Sequence, residues 1–166
     1  FYDALVLPDG EHVRLKVRSM VGLLAICAST VYPADTQERL PLVAERMREF
    51  TRRHPRLVER IASPGQPGEG GRFLLALLTE EKLRRVLRIM LDENEFLGPY
   101  GIRAVSRHHR EHPYVYRANG QAFRVDYEPG ESTTGLFGGN SNWRGPVWFP
   151  VNYLMIEALQ KYHHYY

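Results

Sequence analysis

Between Leu40 and Arg53 the apolar residues Leu40, Val43, Met47 and Phe50 recur at three- and four-residue spacing, while Glu45, Arg46, Arg48, Glu49, Arg52 and Arg53 take the other side. That period predicts an α-helix with one apolar face, and such a face needs a second layer to cover it. Its start is open between Thr36 and Pro41: Asp35 offers an N-cap with Glu38 three residues on, and proline is tolerated only in a first turn. A further helix is expected after Thr79, with Glu80 and Glu81 where the helix dipole favours negative charge and Leu83, Val86, Leu87 and Met90 as its stripe, ending near Asp92. Another starts near Phe149, with Pro150 in its first turn and Val151, Leu154, Met155, Ala158, Leu159 and Tyr162 along one face. From about Leu15 to Val31 the chain is apolar nearly all round, with Gly22 and Ala25 as small positions, which predicts a helix buried on most sides. Buried helices alternating with amphipathic ones predict a mainly α fold in two helical layers.

Three stretches interrupt this helical pattern. Residues 1–7 read as a strand closed by the turn Pro8-Asp9-Gly10. Residues 63–72, SPGQPGEGGR, hold two prolines and four glycines and read as a loop. Asn119-Gly120 stands between two β-prone runs in YVYRANGQAFRVDY, residues 114–127, a strong short-range signal for a hairpin.

At 166 residues the chain has the size of one domain, and its 43% apolar and 25% charged residues are those of a globular protein. The 22 basic residues are interleaved with 19 acidic ones for a net +3, which points to no nucleic-acid partner. The lone cysteine, Cys27, permits no disulfide within the chain and suggests a reducing compartment, so a cytoplasmic location is expected. The longest apolar run, Met20 to Ala28, is far short of the roughly 20 residues of a membrane-spanning helix, so no membrane partner is expected. No secretory leader is visible, the first residues read like the middle of a pattern, and the last stop inside a helical one. The expectation is a single partial domain over residues 1–166.

The sharpest chemical signal is GGNSNWRGPVWFP, residues 138–150, which gathers both tryptophans, Trp143 and Trp148, around Arg144 and Gly145. A pyranose offers an apolar face of C–H groups that stacks on an indole and a rim of hydroxyls that Arg, Asn and backbone amides bind. Core plugs at a loop-to-helix junction would leave the same pattern. His108, Glu111 and His112 fit an H-x-x-E-H zinc-hydrolase pattern, but Pro113 pushes His112 away from the helical dihedrals the pattern needs, which favours solvated loop histidines. Asp126, Glu128 and Glu131 are carboxylates near the tryptophan loop, and spacing selects none of them as a general acid or base. Cys27 reads as a small buried hydrophobe.

The run NWRGPVWFPVNYLMIEAL, residues 142–159, resembles glycoside hydrolase family 63, and most closely its bacterial α-glucosidases and glucosylglycerate or mannosylglycerate hydrolases. KVRSMVGLL (16–24), LGPYGIRAVSR (97–107) and YEPGESTTGLFGGNSNW (127–143) extend the likeness over most of the chain. The resemblance implies part of an (α/α)6 toroid with a β-hairpin excursion, and hydrolysis of α-glycosidic bonds with inversion. It implies a carbohydrate substrate and no cofactor or metal. Trp143 and Trp148 would shape the sugar subsite, Arg144 and Gly145 would set the loop, Asn152 would anchor the following helix, and Tyr100 would be a further subsite residue. The family's acid aspartate would belong before this chain and its base glutamate after it; neither has a matching position here, so the catalytic residues are unknown. A non-catalytic helical carbohydrate-binding module using the same aromatics is the alternative.

Overall fold

The computed structural model describes residues 1–62, 65–130, 133, 135 and 145–166. These residues form two compact units, one of Phe1–Leu24 with Val86–Asn152 and the other of Ala25–Arg85 with Tyr153–Tyr166.

The first unit is built on hairpins. Strands β1 (Asp3–Val6) and β2 (His12–Leu15) pair antiparallel across the expected turn, where Gly10 has φ +85. β5 (Leu97–Gly98) and β6 (Gly101–Ile102) make a two-residue ladder around Pro99-Tyr100, and β7 (Tyr114–Ala118) pairs with β8 (Gln121–Val125). The last pair turns at Asn119 (φ 50) and Gly120 (φ 73), the two positive dihedrals of a type I′ turn, as the Asn-Gly step predicts. Met20, Phe96, Ile102, Ala104, Val105 and Val125 are buried in this unit.

In the second unit β3 (Ser29–Tyr32) pairs antiparallel with β4 (Phe73–Ala76), and the Tyr32 and Phe73 rings stack at 5.5 Å. Helices α1 (Thr36–Arg39), α2 (Pro41–Arg53) and α3 (Pro55–Val58) follow β3. The uncertain start of the Leu40 helix resolves into two helices, because Leu40 precedes a proline and leaves helical geometry at φ −126, ψ 62. His54 before Pro55 ends α2 in the same way. Helix α4 (Glu80–Met90) opens on Thr79, whose hydroxyl accepts the Lys82 N–H at 3.4 Å, and carries a Glu80–Arg84 pair one turn on. Helix α5 (Phe149–Tyr165) buries Met155, Ala158, Tyr162 and Tyr165, while Leu154, expected on that face, is exposed.

Two expectations fail. The segment Leu15–Val31 is not a buried helix: it contains two short 3-10 turns, Met20–Gly22 and Leu24–Cys27, and then β3. Ser29-Thr30-Val31-Tyr32 is β-prone, and β4 gives it a ladder partner whose hydrogen bonds outweigh weak helical periodicity. Gly22 also lies so close to Phe1 that a Cβ would meet its carbonyl oxygen at 2.8 Å. With four two-stranded antiparallel sheets among the described residues, the chain is not the mainly α piece of an (α/α)6 toroid that the helical alternation and the resemblance implied. Among the described residues no helix is long and apolar enough to cross a membrane.

Candidate functional site

The tryptophan-bearing segment is anchored at both ends within the first unit. At one end, Asn152 on the first turn of α5 uses its side-chain amide as a neighbouring strand would use its backbone. Its Oδ1 accepts the Ile102 N–H at 2.7 Å, and its Nδ2 donates to the Ile102 carbonyl at 3.1 Å and the Trp148 carbonyl at 2.9 Å. Gly101 must be glycine for this: its φ is +132, and a Cβ there would meet Asn152 Oδ1 at 2.7 Å. Asn152 thus grips the β5–β6 hairpin at Ile102.

At the other end Gly145 is buried with φ +141, and a Cβ would meet the Tyr127 ring at 2.5 Å. Between the two anchors, Val147 forms a β-bridge with Arg103, and Ala104 N–H donates to the Pro146 carbonyl at 3.0 Å. Trp148 is half-buried and Tyr100 is 89% exposed at the tip of its hairpin. Trp143, Arg144 and Glu131 lie outside the described residues.

Behind this segment lies a polar network that sequence reasoning missed. The buried Arg103 donates from Nη1 to the carbonyls of Leu97 (2.5 Å) and Glu93 (3.1 Å) and from Nε to the Tyr127 hydroxyl (3.1 Å). Its charge is compensated by those dipoles and by the face of the Tyr127 ring, 5.9 Å away. Glu95, whose side chain is 13% exposed, is ion-paired with Arg18 and accepts the Ser106 hydroxyl at 2.5 Å. The buried His109 accepts the Arg18 N–H at Nε2 (2.8 Å), so its ring hydrogen sits on Nδ1 and points to the His112 carbonyl at 2.8 Å. The only sequence signal was a pair of polar residues in an apolar run, Arg103 and Ser106 in GIRAVS, which does not say whether they face water or a partner.

The other candidates separate by geometry. His108 and His112 stack ring on ring at 4.5 Å, and Glu111 is exposed at the end of a 3-10 turn rather than on a helix. Burial holds His108 below the usual histidine range, helped by Arg18 and His112 and opposed by Glu95. Among the described residues no three His, Cys, Asp or Glu side chains could hold a metal ion. Asp126 is engaged by Arg124 at 2.8 Å, and Glu128 accepts the Thr133 hydroxyl at 2.7 Å. The Cys27 thiol is half-buried, and burial raises it above its ordinary value.

A family model described as the mannosylglycerate hydrolase MGH1-like glycoside hydrolase domain matches residues 72–165. An uncharacterized protein of Saccharomyces cerevisiae is 44% identical over 167 residues, covering all of this chain and 15% of that protein. A probable mannosyl-oligosaccharide glucosidase of Schizosaccharomyces pombe is 31% identical over 89 residues, covering 52% of this chain and 8% of that protein. The chain thus spans a small part of the curated relatives it matches. No solved structure matches it.

Proposed function

The chain belongs to the mannosylglycerate hydrolase MGH1-like glycoside hydrolase domains of glycoside hydrolase family 63, and from that premise we propose that the full-length protein hydrolyses α-glycosidic bonds with inversion, with residues 145–152 as part of the wall that receives the sugar. The observation that carries this reading is the half-buried indole of Trp148 on a backbone fixed on both sides, by the Tyr127 ring at Gly145 and by Asn152 on Ile102. Stacking on a sugar needs a flat apolar surface whose position is set before the ligand arrives, because ordering it on binding would consume affinity.

Inversion needs an acid and a base about 6.5–9.5 Å apart with a water between them. The family resemblance implies that the acid and the base belong to parts of the full-length protein outside this chain, and we assign the catalytic pair there. The test is Trp148→Ala in that protein, assayed on α-glucosides and on α-mannosyl- and α-glucosylglycerate. The expected result is a fall of about tenfold to a hundredfold in kcat/KM, equivalent to about 1.4–2.7 kcal/mol of lost transition-state binding. Unchanged kinetics would remove Trp148 from the sugar site, and saturable sugar binding without turnover by the wild type would favour a binding module.

A further inference from the structure

We propose that Tyr127 is the positioning residue of the tryptophan segment, a single ring on which three separate stretches of chain converge to set where Trp148 stands. The Tyr127 hydroxyl accepts Arg103 Nε–H at 3.1 Å, and Arg103 is itself bridged to Val147, next to Trp148. The edge of its ring fills the space a side chain at residue 145 would need, so only glycine fits there, at φ +141, with the ring packed against its backbone. Its backbone N–H reaches the His109 carbonyl at 3.4 Å, and the Arg110 guanidinium lies 5.3 Å from the ring centroid. Arg103, Arg110 and Gly145 thus meet at one phenol, and a shift of that ring displaces the backbone three residues before the indole.

The lock itself is independent of the glycosidase reading, whereas its consequence for sugar rests on it. Tyr127→Phe keeps the ring against Gly145 and loses only the hydroxyl; Tyr127→Leu removes the flat surface. In the full-length protein the Phe variant, which loses the Arg103 bond but keeps the ring against Gly145, is expected to raise KM by less than the Leu variant does. The Leu variant should raise KM about fivefold or more with kcat within about threefold, the split expected when placement of a binding surface is lost and the reacting groups are untouched. Hydrogen exchange followed by mass spectrometry should quicken over residues 145–152 in the Leu variant and stay unchanged over β3 and β4. Gly145→Ala should raise KM by a larger factor in the wild-type background than in Tyr127→Leu, where the ring that opposes the methyl is gone.

Wild-type KM and wild-type exchange in Tyr127→Leu would overturn the proposal. So would quickened exchange with unchanged KM, which would make the ring a structural support alone. A wild-type protein inert on every α-glycoside offered would instead sink the glycosidase reading. In that case faster exchange over 145–152 in the Leu variant would still support the lock, and unchanged exchange would overturn it.

Discussion

Tyr162 shows how one atom can weigh on a fold. It is 3% exposed, and among the described residues its hydroxyl is the buried side-chain polar atom with no hydrogen-bond partner; the nearby Ser29 hydroxyl is directed to the Ile26 carbonyl at 3.1 Å. An unpaired buried hydroxyl costs desolvation with nothing in return, so Tyr162→Phe should leave stability at neutral pH unchanged or raise it by about 1 kcal/mol. Burial, only partly opposed by Ser29, pushes the phenol up to about 12. In the unfolded chain a tyrosine ionises near pH 10, so above that pH the unfolded state sheds a proton that the folded state keeps. Stability tied to Tyr162 is therefore full below about pH 10 and falls on the way to pH 12, by on the order of 2 kcal/mol. Denaturant titrations of wild type and Tyr162→Phe across that range would check this: the alkaline loss should be smaller in the variant, and a variant weaker by more than 1 kcal/mol at pH 7 would show that the hydroxyl has a partner after all.

At the scale of elements, Gly101 and Asn152 fit as a pair. Gly101→Ala puts a methyl against Asn152 Oδ1 at a backbone angle few side chains adopt, and should cost about 1–3 kcal/mol. Asn152→Asp loses the donor to the Ile102 and Trp148 carbonyls and should cost a similar amount. Thermal unfolding checks both, and wild-type midpoints would mean that the hairpin and helix are joined by something else. The sequence made some elements plain and hid others for physical reasons. Asn119-Gly120 names its own turn, because that effect is local. β3 and β4 were hidden because a strand four residues long is decided by a partner more than forty residues away. The stripe of α2 was legible as a helix, yet Val43 and Phe50 stay about half exposed, since periodicity reports that a face is apolar and not what covers it. The network of Arg18, Glu95, Arg103 and His109 was illegible for the opposite reason: each looks like an ordinary surface residue until the backbone brings its acceptors together.

At the scale of the whole molecule, the family match and the geometry of the first unit overlap at the segment 145–152. The family match runs over residues 72–165, and within it Asn152 bonds to Ile102 and the Tyr127 ring packs against Gly145. The toroid expectation came from the resemblance together with helical periodicity, and the four two-stranded sheets overturn it; the glycoside hydrolase family stands on the family match over residues 72–165. In the proposed reading the chain supplies a support for the Trp148 indole, and carboxylates elsewhere in the full-length protein act on the sugar. The most direct measurement is a proton NMR time course of that protein with an α-glucoside or α-mannosylglycerate, reading the anomeric signals before mutarotation mixes them. The account predicts that the β-anomer of the free sugar appears first, and more slowly in Trp148→Ala; first release of the α-anomer would contradict inversion, and no release from any α-glycoside would contradict the account at its root.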